Sequence, residues 1–260
     1  MNLDLSDKNA LVCGASAGIG AASAQALAAL GARVTLVARN TEKLTKVLQS
    51  LDNQQEGHDF LVADFSDPKN LEAALTELPE GRPYHILINN TGGPKGGPIY
   101  SASTEEFTQA FAQHLVCNQM LSQALVPGMK SEGYGRIINI ISTSVKQPID
   151  GLGVSNTIRG AVANWAKTLT NELGPLGVTV NNVLPGFTAT DRLADIVSNA
   201  AKKFNKTEDE AAEFMRQLVP VRRFAQPAEI ANAVAFLASP AAGYINGINL
   251  PVDGGRTKSL

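Results

Sequence analysis

Asn9-Ala10-Leu11-Val12-Cys13-Gly14-Ala15-Ser16-Ala17-Gly18-Ile19-Gly20 is the stretch on which the fold turns. A short apolar run ends at Gly14, and alanine-rich sequence of helical character follows from Ile19 to Leu30. The pattern predicts a strand, a tight turn and a helix. Glycines in such a turn let the backbone bend sharply and approach a pyrophosphate, whose charge is met by free N–H groups at the helix N-terminus. Gly14, Ser16, Gly18, Ile19 and Gly20 are therefore candidate cofactor-binding residues. A glycine-rich loop alone is weak evidence; its place between a strand and a helix gives it force.

Outward from this turn, strands and helices alternate. Gly31 ends the helix, and residues 33–38 are β-branched and strand-like. A polar helix near 42–51 precedes a third strand at 60–63, and a helix near 71–78 precedes a fourth at 85–88. Ser103 with Glu106 forms a capping box that opens a long helix running toward Met129. The fifth strand is read at 136–141. From Ile158, apolar residues at Val162, Trp165, Leu169 and Leu173 fall at helical spacing. The sixth strand is read at 178–183 and a short last one at 247–250. Strands separated by helices imply a doubly wound parallel sheet covered on both faces, an α/β fold forming one domain over residues 1–260. Residues 191–219 are read as one or two helices, which makes 189–219 a helical lid over the substrate pocket. Lys202-Lys203 and Glu208-Asp209-Glu210 form its solvated face.

A chain of 260 residues with 44% hydrophobic content suits one large core. A net charge of −2, with no Lys/Arg run interleaved with aromatics, argues against nucleic acid as a partner. The first nine residues lack a basic-then-apolar leader pattern, and no apolar run approaches the roughly 20 residues of a membrane span. Cys13 and Cys117 stand far apart without metal-ligand spacing, as reduced thiols do, and no metal site is expected. A soluble cytoplasmic protein, off the membrane, is the expectation.

The ends of the next strands carry further candidates. The second strand ends at Ala38-Arg39-Asn40. An acidic residue there would take the ribose 2′-hydroxyl of NAD, whereas an arginine suits a 2′-phosphate, so NADP(H) is preferred over NAD. Asp64-Phe65 closes the third strand, where a carboxylate would take an adenine amino group. Asn89-Asn90-Thr91-Gly92-Gly93 follows the fourth, with Asn90 and Gly92 as candidates. Ligands of such folds lie at the carboxyl ends of the strands.

Taken together, these motifs resemble the short-chain dehydrogenase/reductase family over nearly the whole chain. Gly14, Gly18, Ile19 and Gly20 match its glycine loop. Asn89 to Gly92 matches its Asn-Asn-Ala-Gly motif, with Thr91 for Ala. Pro185-Gly186 matches its Pro-Gly turn, followed by Thr188 and Thr190 where the nicotinamide carboxamide is held. Arg223-Phe224, Glu229-Ile230-Ala231, Phe236 to Ser239 and Asp253-Gly254-Gly255 are similar to its tail. The resemblance implies an oxidoreductase of a small carbonyl or hydroxyl substrate and a homo-oligomer, tetramer or dimer. In it, the helix from Ile158 pairs with the one from Ser103 across a two-fold axis.

The family's proton-handling residues are another matter. No tyrosine stands between Gly135 and Gly243. Ser142 matches the family's serine, but Ser155 stands where its tyrosine would and Arg159 where its lysine would. His114 occupies the place of its asparagine, with Asn118 one helical turn further on. A phenol of pKa near 10 can be tuned toward neutrality; an aliphatic hydroxyl is a far poorer acid. Arg159 keeps a positive charge that can grip ribose hydroxyls, as a rigid fork rather than a compact ammonium. Candidates for a replacement proton donor are Lys146, Lys95 and His114, of which only His114 titrates near neutral pH. The leading reading is an NADP(H)-dependent oxidoreductase working through Ser142, His114, Ser155 and Arg159. The alternatives are a non-catalytic nucleotide-binding protein and a non-redox lyase or isomerase.

Overall fold

Near-continuous runs of Val, Ile and Leu are the composition of strands buried on both faces. In the computed structural model, which describes residues 1–54 and 57–259, these runs become seven parallel strands. They are β1 (Asn9–Cys13), β2 (Arg33–Ala38), β3 (Asp59–Val62), β4 (Ile86–Asn89), β5 (Gly135–Ile140), β6 (Val178–Pro185) and β7 (Asn249–Val252). The spatial order is β3-β2-β1-β4-β5-β6-β7, so the winding reverses between β1 and β4. A crevice opens at that reversal, outside the carboxyl ends of the strands.

Alternate side chains of β1 face opposite layers. Ala10 and Val12 join Leu27 of α1 (Gly18–Ala29), Leu44 of α2 (Thr41–Gln49) and Val234 of the C-terminal helix (Pro227–Ala238). Leu11 and Cys13 face the other way, onto Leu71 of α3 (Pro68–Leu75) and onto Leu121 and Ala166 from the later helices. Each layer alone would leave half the sheet wet; two layers close it. Gly31, with φ of 97°, reverses the chain after α1, its N–H donating to the Ala28 carbonyl at 2.9 Å.

Two departures from the sequence reading bear on the site. The long helix expected from Ser103 is two helices, α4 (Thr104–Phe111) and α5 (Cys117–Ser131), joined by a π-turn over Ala112–Val116. The capping box forms as read, with Ser103 and Glu106 reciprocally bonded. The π-turn adds one residue to the helix, which a 3.6-residue hydrophobic pattern does not register. The next helix, α6, spans Gly153–Leu173 and starts five residues earlier than the apolar stripe from Ile158, so Ser155 lies in its first turn. The lid stretch folds as α7 (Asp191–Phe204) and α8 (Glu208–Gln217), packed together through Leu193, Val197, Ala212 and Met215. Lys202, Lys203 and Glu208 to Glu210 are exposed. Helix α9 is the Pro227–Ala238 helix of the first layer.

Beneath the crevice runs a row of asparagines. Asn89, Asn139, Asn182 and Asn249 are in register across β4, β5, β6 and β7. Each side-chain amide donates to the next at 2.8 Å. A buried amide must find partners, and this row supplies them from β4 to β7, leaving the Asn89 Oδ1 at its start without one among the described residues. Among the described residues, no helix is long and apolar enough to cross a membrane.

Candidate active site

The turn between β1 and α1 is packed to its limit. Gly14 and Gly18 have φ of 59° and 57°, the left-handed region that favours glycine. A Cβ on Gly14 would meet Asn90 Nδ2 at 2.6 Å, and one on Gly20 would run into the Gly14 carbonyl oxygen. Asn90 in turn donates from Nδ2 to the carbonyls of Cys13 and Gly14, at 3.3 and 3.4 Å. Asn90 thus ties the loop after β4 to the glycine turn. Ser16 is half-buried at the crest, and Ile19 packs onto the core below. No side chain caps α1 and its first turn holds no acid, so its N–H groups stay open to an anion. These features fit a dinucleotide's pyrophosphate.

At the end of β2, Arg39 extends into solvent, with 72% of its side chain exposed, 3.8 Å from Asp64. Burial raises the Asp64 pKa, but the hydrogen bonds from Ser66 and the Arg39 charge outweigh it and hold the carboxyl below its usual range. Two expected cofactor ligands also serve the fold. Asn40 caps α2, its side-chain oxygen accepting from Lys43 N at 2.8 Å. Phe65 is buried in the core, its carbonyl accepting from the Cys117 thiol at 3.5 Å. Both cysteines are free and buried, with their thiol pKa values pushed up, that of Cys117 to about 11.

The opposite wall is built by the loops after β4 and β6. Gln113, in the π-turn, donates to Thr91 Oγ1 at 3.1 Å and to the Gly92 carbonyl at 3.0 Å. Thr188 is buried, its hydroxyl bonded to the Gly186 carbonyl at 3.2 Å, and Thr190 bonds to the Thr188 carbonyl at the same distance. A Cβ on Gly18 would lie 3.2 Å from the Thr190 methyl, so Thr190 closes over the glycine turn.

Ser142 lies two residues after β5 and accepts from Ser144 N at 3.1 Å. Ser155 is half-buried in the first turn of α6, and its hydroxyl has no hydrogen-bond partner among the described residues. Arg159, one turn on, is buried and donates from Nη1 to the Ile140 carbonyl at 3.1 Å. Burial, with the like charge of Arg192 second, lowers its pKa to about 10, so it remains a cation at neutral pH. His114 is 1% exposed and its Nε2 has no partner. Burial and then the Arg159 charge push its pKa down to about 2. The expectation that His114 titrates near neutrality is corrected by this burial: it is a neutral imidazole. Lys95 is exposed on its loop and Lys146 is half-buried after Ser142. Among the described residues no cluster could hold a metal.

Sequence reasoning missed Arg192. From the second position of α7 it reaches 98 residues back, donating to the Pro94 carbonyl at 2.9 Å. A Cβ on Gly93 would find Arg192 Nη2 and Arg159 Nη2 each at 3.7 Å. Only the fold brings these two arginines together; no spacing in the chain announces it. The asparagine row did leave a trace, as an Asn in each of four strands.

Known proteins share this architecture. The profile of the family described as Enoyl-(Acyl carrier protein) reductase matches residues 14–257. The NADPH-dependent reductase BacG of Bacillus subtilis (strain 168) is 31% identical over 260 residues, covering 98% of this chain and 100% of that protein. The crystal structure of L-sorbose reductase from Gluconobacter frateurii, complexed with NADPH and L-sorbose, superimposes with a TM-score of 0.93 at 30% identity, covering 100% of both chains. A solved short chain dehydrogenase/reductase family protein gives 0.83 at 31% identity, over 97% of this chain and 99% of that one.

Proposed function

This chain belongs to the short-chain dehydrogenase/reductase family, and from that membership we propose that it is an NADP(H)-dependent oxidoreductase whose carbonyl or hydroxyl substrate is handled by Ser142 and Arg159. The carrying observation is a close-packed glycine turn tied by Asn90 to the loop after β4, with the buried Arg159 guanidinium, a cation at neutral pH, beside Gly93 of that same loop. Bound NADPH supplies a hydride to the carbonyl carbon.

The chain's own residues do the rest. Arg39 holds the 2′-phosphate, Asp64 the adenine, Gly14 to Gly20 the pyrophosphate, and Thr188 and Thr190 the carboxamide. The Ser142 hydroxyl donates to the substrate oxygen and stabilises the negative charge that develops there, while the Arg159 cation holds the substrate in place. The proton that completes the product hydroxyl comes from water, because neither the Ser155 hydroxyl nor neutral His114 is an acid at neutral pH. Helices α7 and α8 act as a lid over the substrate. A homo-oligomer is supported by the open surface beside Gly160 on α6 and the exposed Phe111 on α4.

Assays of NADPH consumption across a panel of ketones and aldehydes test this reading. Saturable turnover with NADPH, and little with NADH, is expected. Tight NADPH binding with no turnover of any panel member would support the non-catalytic nucleotide-binding alternative. Substrate conversion without cofactor oxidation would support a lyase or isomerase.

A further inference from the structure

Arg159 and Arg192 meet at Gly93 with no acid between them. A methyl group on Gly93 would have just two heavy atoms beyond its own surroundings within 4 Å, the Nη2 nitrogens of these two arginines, each at 3.7 Å. Each guanidinium is anchored by a backbone carbonyl, Arg159 to Ile140 and Arg192 to Pro94. Neither forms an ion pair among the described residues; the arginines that do are Arg39, Arg82, Arg216 and Arg223. His114, the nearby titratable group, is neutral and adds no compensating charge.

Two cations held side by side, one of them buried, repel each other and have lost part of their hydration. Such an arrangement is stabilised by an anion placed between them. A planar two-oxygen group suits it best, since each Nη2 can donate to one oxygen along a charge-assisted hydrogen bond. The cofactor's own anionic groups have other seats, the 2′-phosphate at Arg39 and the pyrophosphate at the glycine turn.

We propose that Arg159 and Arg192 clasp a carboxylate of the substrate beside Gly93, so that the substrate class is a carbonyl compound bearing a carboxylate. This rests on the oxidoreductase reading for the reaction but not for the binding site itself. Arg192, on the second residue of α7, then couples occupation of the cleft to the position of the lid.

The test is calorimetric titration of the full-length, NADP⁺-loaded protein with butyrate, butyramide and inorganic phosphate. Butyrate is expected to bind saturably and butyramide not at all. Arg192→Ala should weaken butyrate roughly 10- to 100-fold, the worth of a charge-assisted bond, while changing NADP⁺ affinity less than about twofold. Gly93→Ala should weaken butyrate similarly by filling the space, with both charges kept. Its φ lies outside the left-handed region and its Cβ meets nothing closer than 3.7 Å, so the variant should fold. The proposal is overturned by equal binding of butyrate and butyramide, by no binding of butyrate, or by phosphate binding in its place. It is overturned as well if Arg192→Ala weakens NADP⁺ as much as butyrate, which would assign Arg192 to the cofactor. Butyrate binding in a protein that turns over no carbonyl would sustain this inference and defeat the oxidoreductase reading. Turnover of neutral ketones with no carboxylate preference would do the reverse.

Discussion

In the turn between β1 and α1, side chains are excluded by backbone; in the first turns of α6, the chemistry on offer is that of two side chains, Ser155 and Arg159. A Cβ on Gly14 would press on Asn90, and one on Gly20 on the Gly14 carbonyl, so geometry leaves no choice of residue. Ser155 is half-buried and Arg159 buried on a regular helix, and nothing in the geometry of that backbone fixes either residue. Binding built from backbone approach resists change, whereas proton transfer built from side-chain acidity changes with one substitution and leaves the fold alone.

Breaking the rigid half should give the largest effect. Gly20→Ala is expected to cost about 3 kcal/mol of stability, at the upper end for overpacking, and to abolish saturable NADPH binding. Denaturant midpoints and a fluorescence titration check both. A fully stable, cofactor-binding Gly20→Ala protein would mean that the turn is softer than its packing.

The half that holds Ser155 and Arg159 also carries a pH dependence of stability, at His114. His114 is held neutral in the folded protein, with a pKa near 2, whereas in the unfolded chain it takes up a proton below about pH 6.5. The unfolded state therefore binds more protons between these values, and stability from this residue falls as pH falls through that window. At about pH 4.5 the loss is about 3 kcal/mol relative to neutral pH. His114→Asn should remove it, so urea midpoints of the two proteins should diverge on acidification. Parallel curves would contradict the burial argument.

Within the cofactor half, charge and cap can be told apart. Arg39→Ala should weaken NADPH by about 2 kcal/mol and leave NADH untouched, since a charge-assisted contact to a 2′-phosphate is lost. Folding stability should stay within about 0.5 kcal/mol, because the Arg39–Asp64 pair is exposed and long. Asn40→Ala is the smaller change: about 1 kcal/mol of stability from the lost helix cap, with NADPH affinity unchanged. A selective loss of NADPH binding in Asn40→Ala would return Asn40 to the ligand set.

Much of this was legible in the chain because parallel strands and glycine turns write themselves locally. The order of seven strands, the capping box at Ser103 and the turn from Gly14 to Gly20 each depend on neighbours within a few residues. What was not legible depends on distant neighbours. Asn40 and Phe65 read as ligands by position; that they also cap α2 and fill the core depends on the fold around them. His114 read as a neutral-pH titrator by residue type, yet its pKa is decided by burial and by Arg159, 45 positions on in the chain. The Arg159–Arg192 encounter at Gly93 needs three separate loops and helices to converge, and no periodicity encodes that.

Whether Ser142 or Ser155 serves the substrate oxygen is decided most directly by rates. Initial rates of NADPH oxidation should be measured for the natural protein, Ser142→Ala and Ser155→Ala on the best ketone or aldehyde of the panel. Ser142→Ala should fall roughly 100-fold or more, as for loss of a donor to a developing oxyanion, while Ser155→Ala should stay within about threefold. A brisk natural enzyme whose activity vanishes in Ser155→Ala and survives in Ser142→Ala would contradict the account.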